Sequence, residues 1–82
     1  MTQTEIFNKI RELAVANNLV ESNDAPELTE KTSLSDYLDS MDKMELLVLI
    51  DREFNAFITD EEAERIRTFG NLAALVEKKL HF

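Results

Sequence analysis

The residues best placed to do chemistry are Asp39 and Ser40, where a long irregular segment turns into the most apolar helix of the chain. Asp39 is a strong N-cap type, because its carboxylate can accept from the free N–H groups of a first helical turn. Ser40 then falls on that turn, beside backbone donors and the positive end of the helix macrodipole. A phosphate ester on its hydroxyl would be electrostatically favoured there. The competing reading is a plain helix-start serine, common for capping reasons alone. Other chemistries find less support. No Gly-x-Ser-x-Gly elbow surrounds Ser40, and the only histidine is His81 at the far end of the chain, so a serine hydrolase is disfavoured. The isolated protein is expected not to turn over a model ester. With no cysteine there is no thiol nucleophile, disulfide framework or thiolate metal site, and a lone histidine makes a poor metal site. A calcium loop beginning at Asp36 fails too, because Met41 stands where glycine is needed and Leu47 where a bidentate glutamate is needed.

Eighty-two residues make a single domain, 1–82, whose small core demands economical packing. One glycine, one proline and a surplus of Leu, Glu, Ala and Lys favour helices over sheet. Between Asp36 and Glu64 ten acidic residues face only Lys43 and Arg52, a balance equal to the whole net charge of −8. Such a field repels nucleic acid and anionic membranes and steers basic protein surfaces into encounter. The longest apolar run, Leu46 to Ile50, is too short for a membrane span, and nothing resembles a signal peptide, so the expected address is the cytoplasm.

Four helices must position the serine. Thr2 with Glu5 forms a capping box for the first, whose inward stripe is Ile6, Ile10, Leu13 and Ala14, widened by Phe7. It ends around Asn17-Asn18, and Leu19 to Leu38 follow as a crossover with one possible helical turn within Ser33 to Leu38. Its Leu19, Val20, Leu28, Leu34, Tyr37 and Leu38 can pin it across a bundle. The second helix runs to near Phe54, with Leu46, Leu47, Ile50 and Phe54 inward. Met41, Met44 and Val48 form a second apolar line, bordered by Asp42, Glu45 and Asp51. That line reads either as a docking strip, where flexible methionine accommodates several partners, or as contact with the loop or third helix. Phe57 and Ile58 pack the next connection. Thr59 with Glu62 caps a short helix to about Ile66. Thr68 starts the last helix, with Leu72, Leu75, Val76 and Leu80 inward, Gly70 permitting close helix approach, and Lys78 and Lys79 suiting its C-terminal end.

Over nearly its whole length the chain resembles an acyl carrier protein. The residues that carry the likeness are Asp39-Ser40-Met41-Asp42, Glu45-Leu46, Leu49-Ile50 and Glu53-Phe54, then Ile58 through Ile66 and Thr68-Phe69-Gly70-Asn71. The resemblance implies an all-α, four-helix bundle with a long loop between helices 1 and 2 and a short third helix. It implies that Ser40 takes a covalent 4′-phosphopantetheine from coenzyme A through a separate phosphopantetheinyl transferase. The arm's thiol would then hold acyl groups as thioesters for partner enzymes in fatty acid, lipid or specialised-metabolite synthesis. By position, Asp39, Met41, Asp42, Met44 and Glu45, extended by Val48, inherit contact with acyl-transferring or acyl-ligating enzymes bearing basic patches. The chain itself is expected to be a monomer and not an enzyme.

Two departures qualify the match. Asp36-Tyr37-Leu38 stands where fatty-acid-type carriers have a Gly-containing turn, and Tyr37-Leu38-Asp39-Ser40-Met41 is closer to D-alanyl carrier proteins and some specialised carriers. Lys43 and Arg52 also dilute the acidity of the docking helix. A dedicated carrier of one pathway, a D-alanyl or other aminoacyl carrier, and a docking module with no prosthetic group remain the alternatives.

Overall fold

Thr2 and Glu5 cap each other's backbone as their spacing predicts: Glu5 N donates to Thr2 Oγ1 at 3.2 Å and Thr2 N to Glu5 Oε1 at 2.8 Å. From this start α1 spans Gln3–Ala16, closing at Asn17 and at Asn18, whose φ of 60° is the left-handed geometry asparagine tolerates. The computed structural model describes residues 1–80, so His81 lies outside the described residues. Three further helices follow: α2 (Ser40–Phe54), α3 (Asp60–Arg65) and α4 (Phe69–Leu80). Among the described residues there is no strand, only an isolated bridge between Ser33 and Thr68. This is the all-α, four-helix bundle with a long first loop and a short third helix that the sequence implies.

α1 packs on α4 and α2. Its Ile6, Phe7, Ile10 and Ala14 meet Leu46, Ile50 and Phe54 of α2 and Phe69, Leu72, Ala73 and Val76 of α4 in one buried cluster. Leu13, Leu47 and Leu75 pack at its margin. Phe69 sets its ring edge-on to Phe7, centroids 6.4 Å apart and planes at 78°, a favourable aromatic arrangement. Two expected core residues are not in it. Leu80, one turn beyond Val76 at the end of α4, is 36% exposed. Phe57 is 67% exposed while its neighbours Ala56 and Ile58 are buried. An extended segment turns alternate side chains inward, so Phe57 cannot share the inward side with both neighbours.

The crossover is ordered, with 3₁₀ turns at Ala25–Glu27 and Leu34–Asp36. Val20, Leu28, Leu34 and Leu38 are buried, and backbone bonds stitch it to the start of α4: Leu34 N to Arg67 O at 2.9 Å, Phe69 N to Thr32 O at 3.0 Å, and Gly70 N to Glu30 O at 2.8 Å. Gly70 thus serves a close approach, but of the crossover backbone rather than of another helix. A Cβ added there would stand 2.6 Å from Glu30 O. Gly70→Ala is therefore expected to destabilise despite alanine's better helix propensity. Overpacking costs about 1–3 kcal/mol and the propensity gain returns roughly 1. A melting temperature lower by several degrees is expected. An unchanged one would mean that the crossover can retreat freely.

α3 fully buries no residue of its own; Ala63 packs against the core margin and polar contacts tie down the rest. Thr59 and Glu62 form the expected capping box, and Lys79 Nζ of α4 pairs with Glu62 Oε1 at 2.9 Å, a contact the sequence reading did not foresee. The Thr59 N–H, together with Lys79, holds the Glu62 carboxyl below its ordinary 4.5. Because the folded value is depressed, the stabilisation is present above 4.5 and is lost as pH falls below it through the folded-state value. Glu62→Gln is expected to leave a shallower acid-side loss of stability than wild type, read from urea midpoints at neutral pH and below 4.5.

Candidate functional site: a serine at the head of the second helix

Burial of Leu34 and Leu38 fixes the end of the crossover and so delivers Asp39 to the start of α2. Asp39 is extended, with φ −82° and ψ −176°, and its Oδ1 accepts from Asp42 N at 2.8 Å. Its backbone carbonyl takes the Lys43 N–H at 2.9 Å, the first bond of the helix. Ser40 occupies the first helical position and is exposed. Among the described residues its hydroxyl makes no hydrogen bond. A helix of fifteen residues thus aims its positive end at a free hydroxyl.

The anticipated docking residues lie along the helix that follows. Met41, Met44 and Val48 are 78%, 67% and 50% exposed, so the second apolar line faces solvent and is not consumed by the core. Asp39 and Glu45 are exposed, while Asp42 and Asp51 are half-buried. Sequence reasoning missed that the exposed Phe57 continues the strip, beside the buried Ile58. With Met44, Leu47 and Val48 they line a cleft of about 150 Å³ bordered by Asp51 and Asp60. The sequence carries no signal for this, because Ala56, Phe57 and Ile58 are three apolar residues in a row.

Lys43 behaves otherwise than expected. It is half-buried and turns to α3, donating to Ala63 O at 2.8 Å and Ile66 O at 3.4 Å. Its charge meets the carbonyl end of that short helix, where a cation is favoured. Among the described residues no group of three or more Asp, Glu, His or Cys side chains is arranged to hold a metal ion. No helix among the described residues is long and apolar enough to cross a membrane.

Fold and site together define an acidic helical bundle of the acyl-carrier type, presenting one serine at the head of its second helix. No family model matches the chain. It is 38% identical over 79 residues to the acyl carrier protein of Lactobacillus acidophilus, covering 94% of this chain and 95% of that one. Identity to the acyl carrier protein of Petrotoga mobilis is 36% over 83 residues, covering 99% and 94% respectively. The acyl carrier protein of Exiguobacterium is 37% identical over 82 residues, 98% of this chain and all of that one. The chain belongs to the acyl carrier protein family.

Proposed function

We propose that Ser40 is the attachment point of a 4′-phosphopantetheine arm and that the chain, as one monomeric carrier domain over residues 1–82, presents acyl groups to partner enzymes in the cytoplasm. The observation that carries this is the exposed Ser40 hydroxyl at the first position of α2, without a hydrogen bond among the described residues, next to an Asp39 cap that is already satisfied. The residues fit the group: a phosphodiester at Ser40 meets the helix's positive end, and cavity space opens beside it. Once attached, the arm supplies a terminal thiol that carries acyl groups as thioesters.

The chain's own residues have two tasks. Ser40 must be reachable by a phosphopantetheinyl transferase, which brings the base and the coenzyme A. Met41, Met44 and Val48, rimmed by Asp39, Asp42 and Glu45, meet partners through apolar contact within an acidic border, which suits enzymes carrying basic patches. Tethering keeps cargo at high local concentration once a partner has docked. The chain is thus a substrate and partner of enzymes and not itself a catalyst. The relatives' names, acyl carrier protein, favour an acyl cargo over the D-alanyl cargo suggested by the local motif; we place that cargo in fatty acid, lipid or specialised-metabolite synthesis.

The test is intact-mass measurement after incubation with coenzyme A and a broad-specificity transferase, with fragmentation to locate the addition. One phosphopantetheinyl group on Ser40 is expected. No addition, or an addition elsewhere, would overturn the reading.

A further inference from the structure

We propose that the polar cleft on the crossover side of Ser40 is a docking site for the phosphopantetheine arm itself, walled by Ser33, Ser35 and Arg67. The inference rests on the modification of Ser40 proposed above.

Two grooves start at Ser40, and the Lys43 side chain, reaching to α3, divides them. One runs along Met44, Leu47 and Ala63 and is predominantly apolar. The other, about 320 Å³, lies between the Leu34–Asp36 turn and the link from α3 to α4. Its walls carry the hydroxyls of Ser33 and Ser35, 3.1 Å apart, the guanidinium of Arg67 and the carboxylate of Glu64, over apolar Leu34, Leu38 and Ile66. Among the described residues the Arg67 guanidinium has no hydrogen-bond or ion-pair partner. The walls are tied together: Leu34 N bonds Arg67 O at 2.9 Å, and Ser33 bridges to Thr68. A preformed site avoids ordering costs on binding.

The arm alternates the same chemistries: a phosphodiester, a branched apolar carbon bearing a hydroxyl, two amides and a thiol. Hydroxyl donors suit its amides, a guanidinium suits its phosphodiester, and the apolar floor suits the branched carbon. Because the anchor is itself a wall of the cleft, the arm is present at millimolar effective concentration. A site of only millimolar intrinsic affinity is then half filled, which is enough to shield the thiol between encounters.

Apo and holo protein, the latter verified by mass, are compared by amide NMR, and the holo thiol is alkylated with iodoacetamide against free pantetheine. Docking is expected to shift the amides of residues 33–35 and 66–68 as well as 39–43, and to slow alkylation about twofold or more. Arg67→Glu, at an exposed position, should return both toward undocked values while one phosphopantetheinyl group is still added and the melting temperature is unchanged. Shifts confined to residues 39–43 in the wild type, or running instead along Met44, Leu47 and Ala63, would overturn the docking site while leaving the modification intact. Absence of any added mass would overturn the modification instead, and the docking site with it.

Discussion

Ser40→Ala is expected to take up no phosphopantetheine at all and yet to melt within a few degrees of wild type. The two halves of that result have separate causes. The hydroxyl is the only atom lost, and it has no hydrogen bond among the described residues to lose with it. Exposed substitutions away from caps and cores change stability by about ±0.5 kcal/mol, and alanine is a slightly better helix former than serine. Asp39→Ala should behave oppositely. It removes the 2.8 Å bond to Asp42 N and should cost about 1 kcal/mol, as N-cap deletions do, while leaving an acceptor hydroxyl in place. Intact mass and far-UV circular dichroism melts on the two variants separate the anchor from the device that positions it. Modification persisting in Ser40→Ala would transfer the anchor to another residue. A large loss of stability would mean that the hydroxyl belongs to the fold.

Much of this site was legible because its determinants are local. Capping boxes at Thr2 and Thr59 and the cap at Asp39 each operate over three or four residues, and periodicity alone placed Met41, Met44 and Val48 off the core face. What the sequence hid is carried by contacts between distant segments. Lys43 reads as a surface cation on an acidic helix until α3 is folded against it and offers the carbonyls of Ala63 and Ile66. Gly70 reads as a helix-packing glycine until the crossover brings Glu30 O against it. The pairing of Lys79 with Glu62 links residues seventeen apart on different helices, which neither helix's own pattern specifies. Phe57 and Leu80 failed for a simpler reason: hydrophobicity says what would gain from burial, while chain direction decides which side chains can reach it. The apolar strip consequently turned out wider than expected, with Phe57 added to it.

That widened strip sets the size of the second large effect. Met44→Arg places a cation at the middle of the apolar line, between Met41 and Val48 and in the wall of the cleft that Phe57 also lines. At 67% exposure the change leaves the core untouched, so the melt should hardly move. Association with a basic partner loses on two counts. Losing a central hot-spot anchor of an interface costs about 2 kcal/mol or more, and a like charge facing the partner's basic patch adds to it. At about 1.4 kcal/mol per tenfold, kcat/KM of the transferase toward the apo protein should fall roughly thirtyfold or more. Thr4→Arg, which adds the same charge at an exposed position on α1, controls for net charge and should stay near wild type. Salt distinguishes the two contributions. The electrostatic loss in Glu45→Lys should shrink as the screening length falls from about 10 Å at 0.1 M to about 3 Å at 1 M, whereas much of the Met44→Arg loss should survive. If both variants recover fully in salt, partners read the charge of this helix alone. If neither Met44→Arg nor Glu45→Lys slows modification, the transferase approaches Ser40 from another side.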